Sequence, residues 1–457
     1  MSIVETIVFF RLDRQAPAKT LRLPEGSLMT GTTGITGKLS LAVVFALFAS
    51  SAFAAGPQTT VAYTFVCKGS PSLGVGPCSK GASPNSLIQG SDGNFYGAAE
   101  ASIESPPEPE GGTVFSLTPS GTFTLLHTFA AGANQTYPNG NLPSSLTQGP
   151  DGKLYGETRV GGVGSCTIYP GCGVLYRLNI DGSGFQVIHK FCSQANCADG
   201  WAGGVLVAGT DGNLYATSYA GGTGTCSINV FGGCGTIFRV TPSTGAYEVV
   251  FNFTFSTSGG SPSNLIAAPD GTFYGLSNGT PGQLLFHYTP ATGTVTTAVL
   301  NFPVFDGDLP SAPTAALAFG PNGNLYGLYQ IYAESGAGLF EVEPDGSNLQ
   351  FFPFTSALES GGAPVGLLLA TDGNFWIAEP NGSNGYGNIV TVSPGDGTLL
   401  QTFSPFVKGG PLGGLPVEII QAKDGTFWGS TEFYGDAPKG YFADGTVFSL
   451  NAGLPPR

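Results

Sequence analysis

Asp92-Gly93-Asn94-Phe95-Tyr96 is the first of seven copies of one short pattern in this chain. Each copy consists of an Asp-Gly or Asn-Gly pair, one further residue, a Phe or Leu, and then a Tyr or Trp. The other six copies begin at Asp151, Asp211, Asp270, Asn322, Asp372 and Asp424. Asp-Gly and Asn-Gly between β-rich runs favour a two-residue hairpin, whose positive φ angles Gly adopts freely and Asp or Asn tolerates. We therefore predict a tight hairpin at every copy.

The residues around each hairpin predict four short strands per unit. Five residues before each turn stands an apolar anchor of a first strand: Leu87, Leu146, Leu206, Leu265, Leu317, Leu367 or Ile419. The aromatic residue of the turn opens a second strand, and a third follows a variable loop, as in residues 112–117 (GTVFSL). A fourth ends at Phe129, Phe191, Phe253, Phe302, Phe354 or Phe403. Seven such units predict an all-β fold, a seven-bladed β-propeller of four-stranded antiparallel blades.

The two ends of the chain predict how the ring closes. The seventh unit has three strands, and residues 60–65 (TVAYTF) have the same pattern as residues 124–129 (TLLHTF) in the fourth strand of the first unit. An N-terminal strand that joins the last blade would remove the free edge of the ring. A linear solenoid has no need to divide one unit between its ends, so the pattern favours a propeller.

The repeat resembles a known family. The closest copy of the tandem repeat named for Gloeobacter and Verrucomicrobia is formed by Asp92 to Gly97, Gly112 to Gly121 and His127 to Phe129. The sequence resembles that repeat over essentially the whole chain after residue 54. The resemblance implies a propeller and export, and it implies no activity. The sequence resembles streptogramin lyase-like and NHL-type propellers more distantly. None of the three histidines matches the ligand-face histidine of the lyases, so lyase activity is not carried over.

Composition agrees with a folded, turn-rich β protein. The chain has 72 Gly and 34 Pro, yet 41% of its residues are hydrophobic and 12% aromatic, which disordered chains are not. Without residues 1–54, 11 basic and 27 acidic side chains remain, because that segment contains five basic and three acidic ones. Such an acidic chain repels phosphate backbones, so we expect no nucleic-acid partner.

The N-terminal segment has the features of an export signal. The uncharged run of residues 39–55 (LSLAVVFALFASSAFAA) follows Lys38, and Ala52-Phe53-Ala54 fits a signal-peptidase site. We therefore read residues 1–54 as a leader plus signal peptide, with translation starting at Met29. Residues 55–457 are predicted to form a single propeller, exported to the periplasm or the cell exterior, with no membrane attachment after cleavage.

All eight cysteines follow this segment and form four local couples: Cys67 and Cys78, Cys166 and Cys172, Cys192 and Cys197, Cys226 and Cys234. An even count in an exported chain predicts four disulfides, most simply as these couples, although eight cysteines allow 105 pairings. Zinc sites favour C-x-x-C pairs or added histidines, which the sequence lacks. The turn aspartates lack the D-x-D-x-D-G spacing of calcium loops. We expect neither metal nor cofactor.

Candidate ligand residues lie at the ends of the second strands, on the face of the disc that carries the long loops. We call this the looped face; the Asp-Gly turns occupy the opposite, plain face. The position four residues after the turn aromatic carries a mixture of polar side chains, and we call these positions the column. Such a mixture with nearby aromatic residues suits a polar ligand such as a glycan, although strand ends are also polar simply because they contact water. The candidates are Glu100, Arg159, Tyr219, Asn278, Gln330 and Glu432 from the column, Glu379 one residue before the column position of its blade, Trp201, Tyr329 and Tyr434 for stacking, and Glu418 near the channel mouth.

Two classes of function remain open at this level. The first is a non-enzymatic, monomeric binding or scaffold propeller that recognises a carbohydrate or a cell-surface protein through its looped face. The second is a carbohydrate-active lyase or hydrolase that uses acids among Glu100, Glu379, Glu418 and Glu432. Nucleophilic catalysis finds little support, since His127, His189 and His287 occupy strand positions within blades.

Overall fold

The computed structural model describes most of the chain after the signal segment. The described residues are 57–68, 78, 80–100, 110–130, 137–163, 165–166, 169–226, 233–279, 282–302, 317–331, 336–354, 364–380, 385–407, 409–437 and 441–457. The predicted leader and signal peptide, residues 1–54, lie outside them. Among the described residues no helix is long and apolar enough to cross a membrane.

Seven antiparallel four-stranded sheets form the blades of a propeller. Blade 1 contains Pro84–Gln89, Phe95–Ala99, Glu110–Leu117 and Phe123–Ala130; blade 2 contains Asn141–Gln148, Leu154–Val160, Val174–Leu178 and Gln186–Lys190. Blade 3 contains Val207–Ala208, Leu214–Ser218, Thr236–Thr241 and Ala246–Asn252; blade 4 contains Ile266–Ala267, Phe273–Asn278, Gln283–Thr289 and Thr294–Leu300. Blade 5 contains Leu317–Phe319, Leu325–Ile331, Gly336–Val342 and Gln350–Pro353; blade 6 contains Val365–Leu369, Phe375–Glu379, Asn388–Val392 and Leu399–Phe403. Blade 7 contains Gly414–Gln421, Phe427–Phe433, Tyr441–Asn451 and, as its outermost strand, Gln58–Lys68.

The first strands surround the central axis and are tied to one another by side chains. Thr147 Oγ1 of blade 2 donates to the Leu206 carbonyl of blade 3 at 2.7 Å, and Val205 N of blade 3 donates to Asn264 Oδ1 of blade 4 at 3.2 Å. Leu87 N of blade 1 donates to Glu418 Oε2 of blade 7 at 2.6 Å. These bonds fix neighbouring blades at the channel.

The Asp-Gly hairpins exist at all seven positions, but their geometry differs from the predicted two-residue loop. In blade 1, Gly90 N donates to the Asn94 carbonyl at 2.8 Å and Gly93 N donates to the Gly90 carbonyl at 3.1 Å. Only the glycine has positive φ, +87° at Gly93, and the aspartate does not. This is a three-residue hairpin loop with Gly in the left-handed region. The prediction that Asp itself adopts positive φ was therefore wrong.

The aspartate instead joins the turn to the core. Asp92 Oδ1 accepts from Asn94 N at 3.1 Å, and its Oδ2 accepts from the Tyr96 hydroxyl at 2.8 Å. Tyr155 and Asp151 repeat the hydroxyl contact at 2.8 Å. Burial and the bond to Asp92 raise the pKa of Tyr96 to about 12. The turn and the following aromatic residue thus form one hydrogen-bonded unit.

Aromatic rings fill the spaces between blades. Phe95 of blade 1 stacks on Trp428 of blade 7 with centroids 4.0 Å apart. Near the rim, His127 of blade 1 stacks on Phe185 of blade 2 at 3.7 Å, and burial lowers the pKa of His127 to about 4. His189 of blade 2 stacks in the same way on a blade 3 ring, Tyr247, at 3.7 Å. The histidines of the fourth strands therefore pack blade against blade.

The ring closes as the sequence predicts. Gln58–Lys68 pairs antiparallel with Tyr441–Asn451, with Thr60 opposite Ser449 and Thr64 opposite Thr446. Phe65 is fully buried in the cluster that blade 7 shares with blade 1. The N-terminal strand thus completes blade 7 and covers its outer edge.

Replacing Tyr96 with Phe should lower the free energy of unfolding by about 1–3 kcal/mol, because Asp92 loses a hydrogen bond at a partly desolvated carboxylate. Tyr274→Phe is the matched control, since Asp270 of blade 4 accepts from Thr272 instead and Tyr274 stacks on His287. Urea unfolding of both variants measures the difference. Equal losses would contradict a specific role for the Asp–Tyr bond.

A chain that begins after Cys78 should melt well below the full-length protein or aggregate, because it lacks the closing strand. The unpaired edge of Tyr441–Asn451 and the surface that Phe65 covers would then be exposed. Removing residues 1–54 alone should leave the melting temperature unchanged. Equal midpoints for the two truncations, measured side by side, would show that the ring does not depend on this strand.

Candidate functional site

Disulfides brace the connections on the looped face. Cys67–Cys78 and Cys192–Cys197 lie between successive blades, and Cys226–Cys234 spans the loop between the second and third strands of blade 3. These three pairs confirm the prediction of local couples. Cys172 is also disulfide-bonded, whereas the side chain of its predicted partner Cys166 lies outside the described residues.

At the ends of the second strands, an ion pair joins blades 1 and 2, and a carboxyl of blade 7 lies within electrostatic range of both charges. Arg159 of blade 2 forms an ion pair with Glu100 of blade 1, with Nη2 and Oε1 2.7 Å apart. Burial raises the pKa of Glu432 of blade 7; the charge of Glu100 raises it further, and Arg159 opposes both effects. We call Glu100, Arg159 and Glu432 the charged cluster. It combines two carboxylates and one guanidinium from different blades.

One member of the charged cluster is held in place and another remains accessible. Asn85, at the start of blade 1, donates from Nδ2 to Glu100 Oε1 at 2.8 Å and to the Pro143 carbonyl of blade 2 at 2.9 Å. The Glu100 side chain is almost buried, whereas that of Arg159 is 55% exposed. The guanidinium is therefore oriented by a fixed carboxylate while its outer surface can contact a ligand. The sequence reasoning did not identify Asn85.

Exposed aromatic rings follow the charged cluster along the chain. Phe433 and Tyr434, directly after Glu432, are 38% and 44% exposed. The Tyr434 and Tyr386 ring centroids lie 5.8 Å apart, and Leu415 N donates a hydrogen bond to the Tyr386 carbonyl at 2.8 Å. A Cβ at Gly414 would lie within 3.4 Å of both tyrosine rings, so this glycine lets them sit close to the backbone. We call Tyr386, Phe433 and Tyr434 the aromatic platform.

Three of the predicted site residues are buried or partly buried. Tyr329 is fully buried and its ring packs against Phe351, so it is not the exposed stacking surface that the sequence suggested. Trp201 is partly buried against the core between blades 2 and 3. Glu379 is 3% exposed and accepts from Asn388 Nδ2 at 3.0 Å; burial raises its pKa, which this bond partly offsets.

The remaining column residues lie in other blades and do not join the charged cluster. Tyr219 of blade 3 is 54% exposed. Asn278 of blade 4 accepts from Gln283 Nε2 of the next strand and pairs through its backbone with Gly260. Gln330 of blade 5 is partly exposed. The predicted column therefore exists as strand ends, but only its members in blades 7, 1 and 2 come together.

Glu418 lies on the first strand of blade 7, at the channel. The residue is largely surrounded by protein but partly accessible. Its Oε2 accepts a hydrogen bond from Leu87 N. Burial raises the pKa of Glu418 to about 7, and the Leu87 bond acts against this shift. The carboxyl thus links blades 7 and 1 across the point where the ring closes.

A second blade-linking acid, Glu157, was missed by the sequence reasoning. It lies on the second strand of blade 2, and its Oε2 accepts from Gly203 N at 2.7 Å and Gly204 N at 3.2 Å, just before blade 3. Its Oε1 is buried without a hydrogen-bond partner among the described residues. Burial raises the pKa of Glu157 to about 8, while the two N–H groups act in the opposite direction. The other blades place Ala98, Thr217, Leu276, Leu328, Ala378 and Ser430 here, so the only available signal was one acid in an otherwise uncharged column.

Two groups of side chains in the described part of the chain bring metal-type ligand atoms close together. Cys172, Cys192 and Cys197 form one set, and Cys67, Cys78 and Asp444 form another. Every cysteine in both sets is disulfide-bonded and so offers no thiolate. The two sets are therefore interpreted as disulfide sites.

Glu157→Gln should make stability less dependent on pH. Because the folded state holds the Glu157 proton up to about pH 8 and the unfolded chain releases it near 4.5, stability falls as pH rises through that window. Glutamine does not titrate and so removes this loss. The melting temperature of Glu157→Gln relative to wild type should therefore differ little at the acid end and rise towards pH 8. Glu248→Gln, at an exposed acid, is the control. Parallel pH profiles for wild type and Glu157→Gln would contradict the assignment.

Comparison with known proteins supports the fold and identifies the family. The Gloeobacter/Verrucomicrobia repeat family matches residues 16–280 and 83–336. None of the curated proteins matches the chain. Two solved structures of the extracellular domain of BT4673 from B. thetaiotaomicron are similar: one has a TM-score of 0.51 and 13% identity over 86% of this chain and 44% of that one, and the other 0.50 and 14% over 83% and 42%.

The chain therefore spans less than half the length of these two proteins. A periplasmic gluconolactonase from Pseudomonas aeruginosa has a TM-score of 0.44 and 17% identity, covering 77% of this chain and 95% of that one. At such identities the likeness to solved structures concerns the fold alone. The repeat match spans more than half of the sequence, and the chain belongs to the Gloeobacter/Verrucomicrobia repeat family.

Proposed function

We propose that this protein is an exported, non-enzymatic propeller that binds carbohydrate on its looped face. The observation that carries the proposal is the ion pair of Glu100 with the exposed Arg159, together with the exposed rings of Phe433 and Tyr434 that follow Glu432 in the chain. Disulfides in the described loops support export, since they persist in oxidising compartments.

The chemistry of this surface suits sugars. Carboxylate groups accept hydrogen bonds from sugar hydroxyl groups, and guanidinium groups donate to them. Exposed aromatic faces stack on the apolar faces of sugar rings. The network around Glu100 is set before a ligand arrives, because Asn85 and Arg159 both contact the same carboxylate oxygen. Prior ordering of this kind, together with braced loops, lowers the entropy cost of binding.

A second candidate, a carbohydrate-active hydrolase or lyase, is favoured by one observation. Burial and the neighbouring charge of Glu100 raise the pKa of Glu432, as in sites where one carboxyl acts as an acid beside another. Of the other acids proposed for catalysis, Glu379 is buried and accepts a hydrogen bond from Asn388 Nδ2, and Glu418 accepts one from Leu87 N. Only Glu100 and Glu432 remain as a pair on the looped face.

A glycan array probed with the purified protein should identify a carbohydrate ligand. Arg159→Ala and Tyr434→Ala should each weaken its binding about tenfold or more, because they remove a charge-assisted contact and a stacking surface. Tyr219→Ala, at an exposed ring of blade 3 outside the cluster, should bind normally. Equal losses in all three variants would contradict the location of the site.

Turnover of the array ligands distinguishes the two candidates. The binding protein should return the ligand intact after prolonged incubation, whereas an enzyme would release new sugar ends and lose this activity in Glu432→Gln. Binding of a cell-surface protein with no binding of any glycan would overturn the carbohydrate proposal.

A further inference from the structure

The charged cluster contains two carboxyl groups and one guanidinium. The single guanidinium of Arg159 forms its ion pair with Glu100, whose carboxylate also accepts from Asn85. In the described part of the chain Glu432 forms no ion pair of its own. Exposed Asp436 follows four residues later in the same loop. A cationic group of a ligand that contacts Glu432 would therefore supply an ion pair that this carboxyl does not form within the described residues.

The aromatic platform lies next to this carboxylate in the chain. Phe433 and Tyr434 are exposed, and the Tyr386 ring meets Tyr434 at 5.8 Å. Aromatic faces attract cations as well as sugar rings. A carboxyl that forms no ion pair within the described residues and exposed aromatic faces favour the same ligand group, a positively charged nitrogen on a compact ring.

We infer that the looped face recognises an amino sugar, in which a protonated amine meets Glu432 and the sugar ring stacks on the aromatic platform. This inference rests on the proposed carbohydrate-binding function and names its ligand class. Hydroxyl groups of the sugar contact the exposed side of Arg159. A sugar whose amine is acetylated has the same ring but no positive charge, so it leaves Glu432 unpaired and is bound more weakly.

Glucosamine hexamer and N-acetylglucosamine hexamer provide a matched pair of probes, since the two differ in the charge on nitrogen. Because the raised pKa of Glu432 favours its neutral form in acid, calorimetry with the full-length protein is carried out near neutral pH, where the amine is still partly protonated. It should show about tenfold tighter binding of the glucosamine form, as expected for one charge-assisted hydrogen bond. Glu432→Gln keeps the size of the side chain but removes its charge and should abolish the preference. Glu248→Gln, which removes an exposed acid paired with Arg239 on the outer strand of blade 3, should retain it.

Each alternative result has a defined meaning. Equal affinity for the two hexamers would overturn the amino-sugar inference while leaving carbohydrate binding intact. Failure of both hexamers, with binding of other glycans on the array, would also overturn it. Binding of oligolysine as tight as that of the glucosamine hexamer would show that the surface recognises positive charge alone. Loss of the preference in Glu248→Gln as well would exclude Glu432 as the specific contact.

Discussion

In four of the seven blades the turn aspartate accepts a hydrogen bond from the aromatic residue four positions later, and this contact ties the hairpin to the rest of the blade. In blade 3, Asp211 accepts from the Tyr215 hydroxyl at 2.7 Å, and in blade 6 Asp372 accepts from Trp376 Nε1 at 3.2 Å. The bond places the ring at the start of the second strand, where it faces the neighbouring blade. In these blades one local contact therefore joins the hairpin to the aromatic ring that packs between blades.

The repeated blades explain why function must come from the positions that differ. Strand pairing and aromatic stacking use the same residues in blade after blade, so they place the second-strand ends on one face without specifying their chemistry. Glu100 and Arg159 form an ion pair, and Glu432 lies within electrostatic range of both, because blades 7, 1 and 2 are consecutive around the closed ring. The charged cluster therefore includes a residue of blade 7, the blade that the N-terminal strand completes.

Buried acids at the inner strands show a second use of charge. Glu157 and Glu418 each accept backbone N–H groups from the next blade, and burial raises the pKa of both. Burial favours the protonated form of both carboxyls, whereas the N–H groups that donate to them favour the carboxylate. Glu432 differs from them because the charge of Glu100, in addition to burial, raises its pKa and because exposed residues follow it.

The sequence by itself determined the blade number, the strand order and the ring closure, because these depend on local turn chemistry and on a period that repeats along the chain. It also predicted the three disulfides that the described residues contain, since each joins neighbours in sequence. It did not predict the burial of Tyr329 and Glu379, the role of Glu157, or the grouping of Glu100, Arg159 and Glu432. Those depend on which side chains of different blades face each other across the ring, and only the tertiary structure decides such distances.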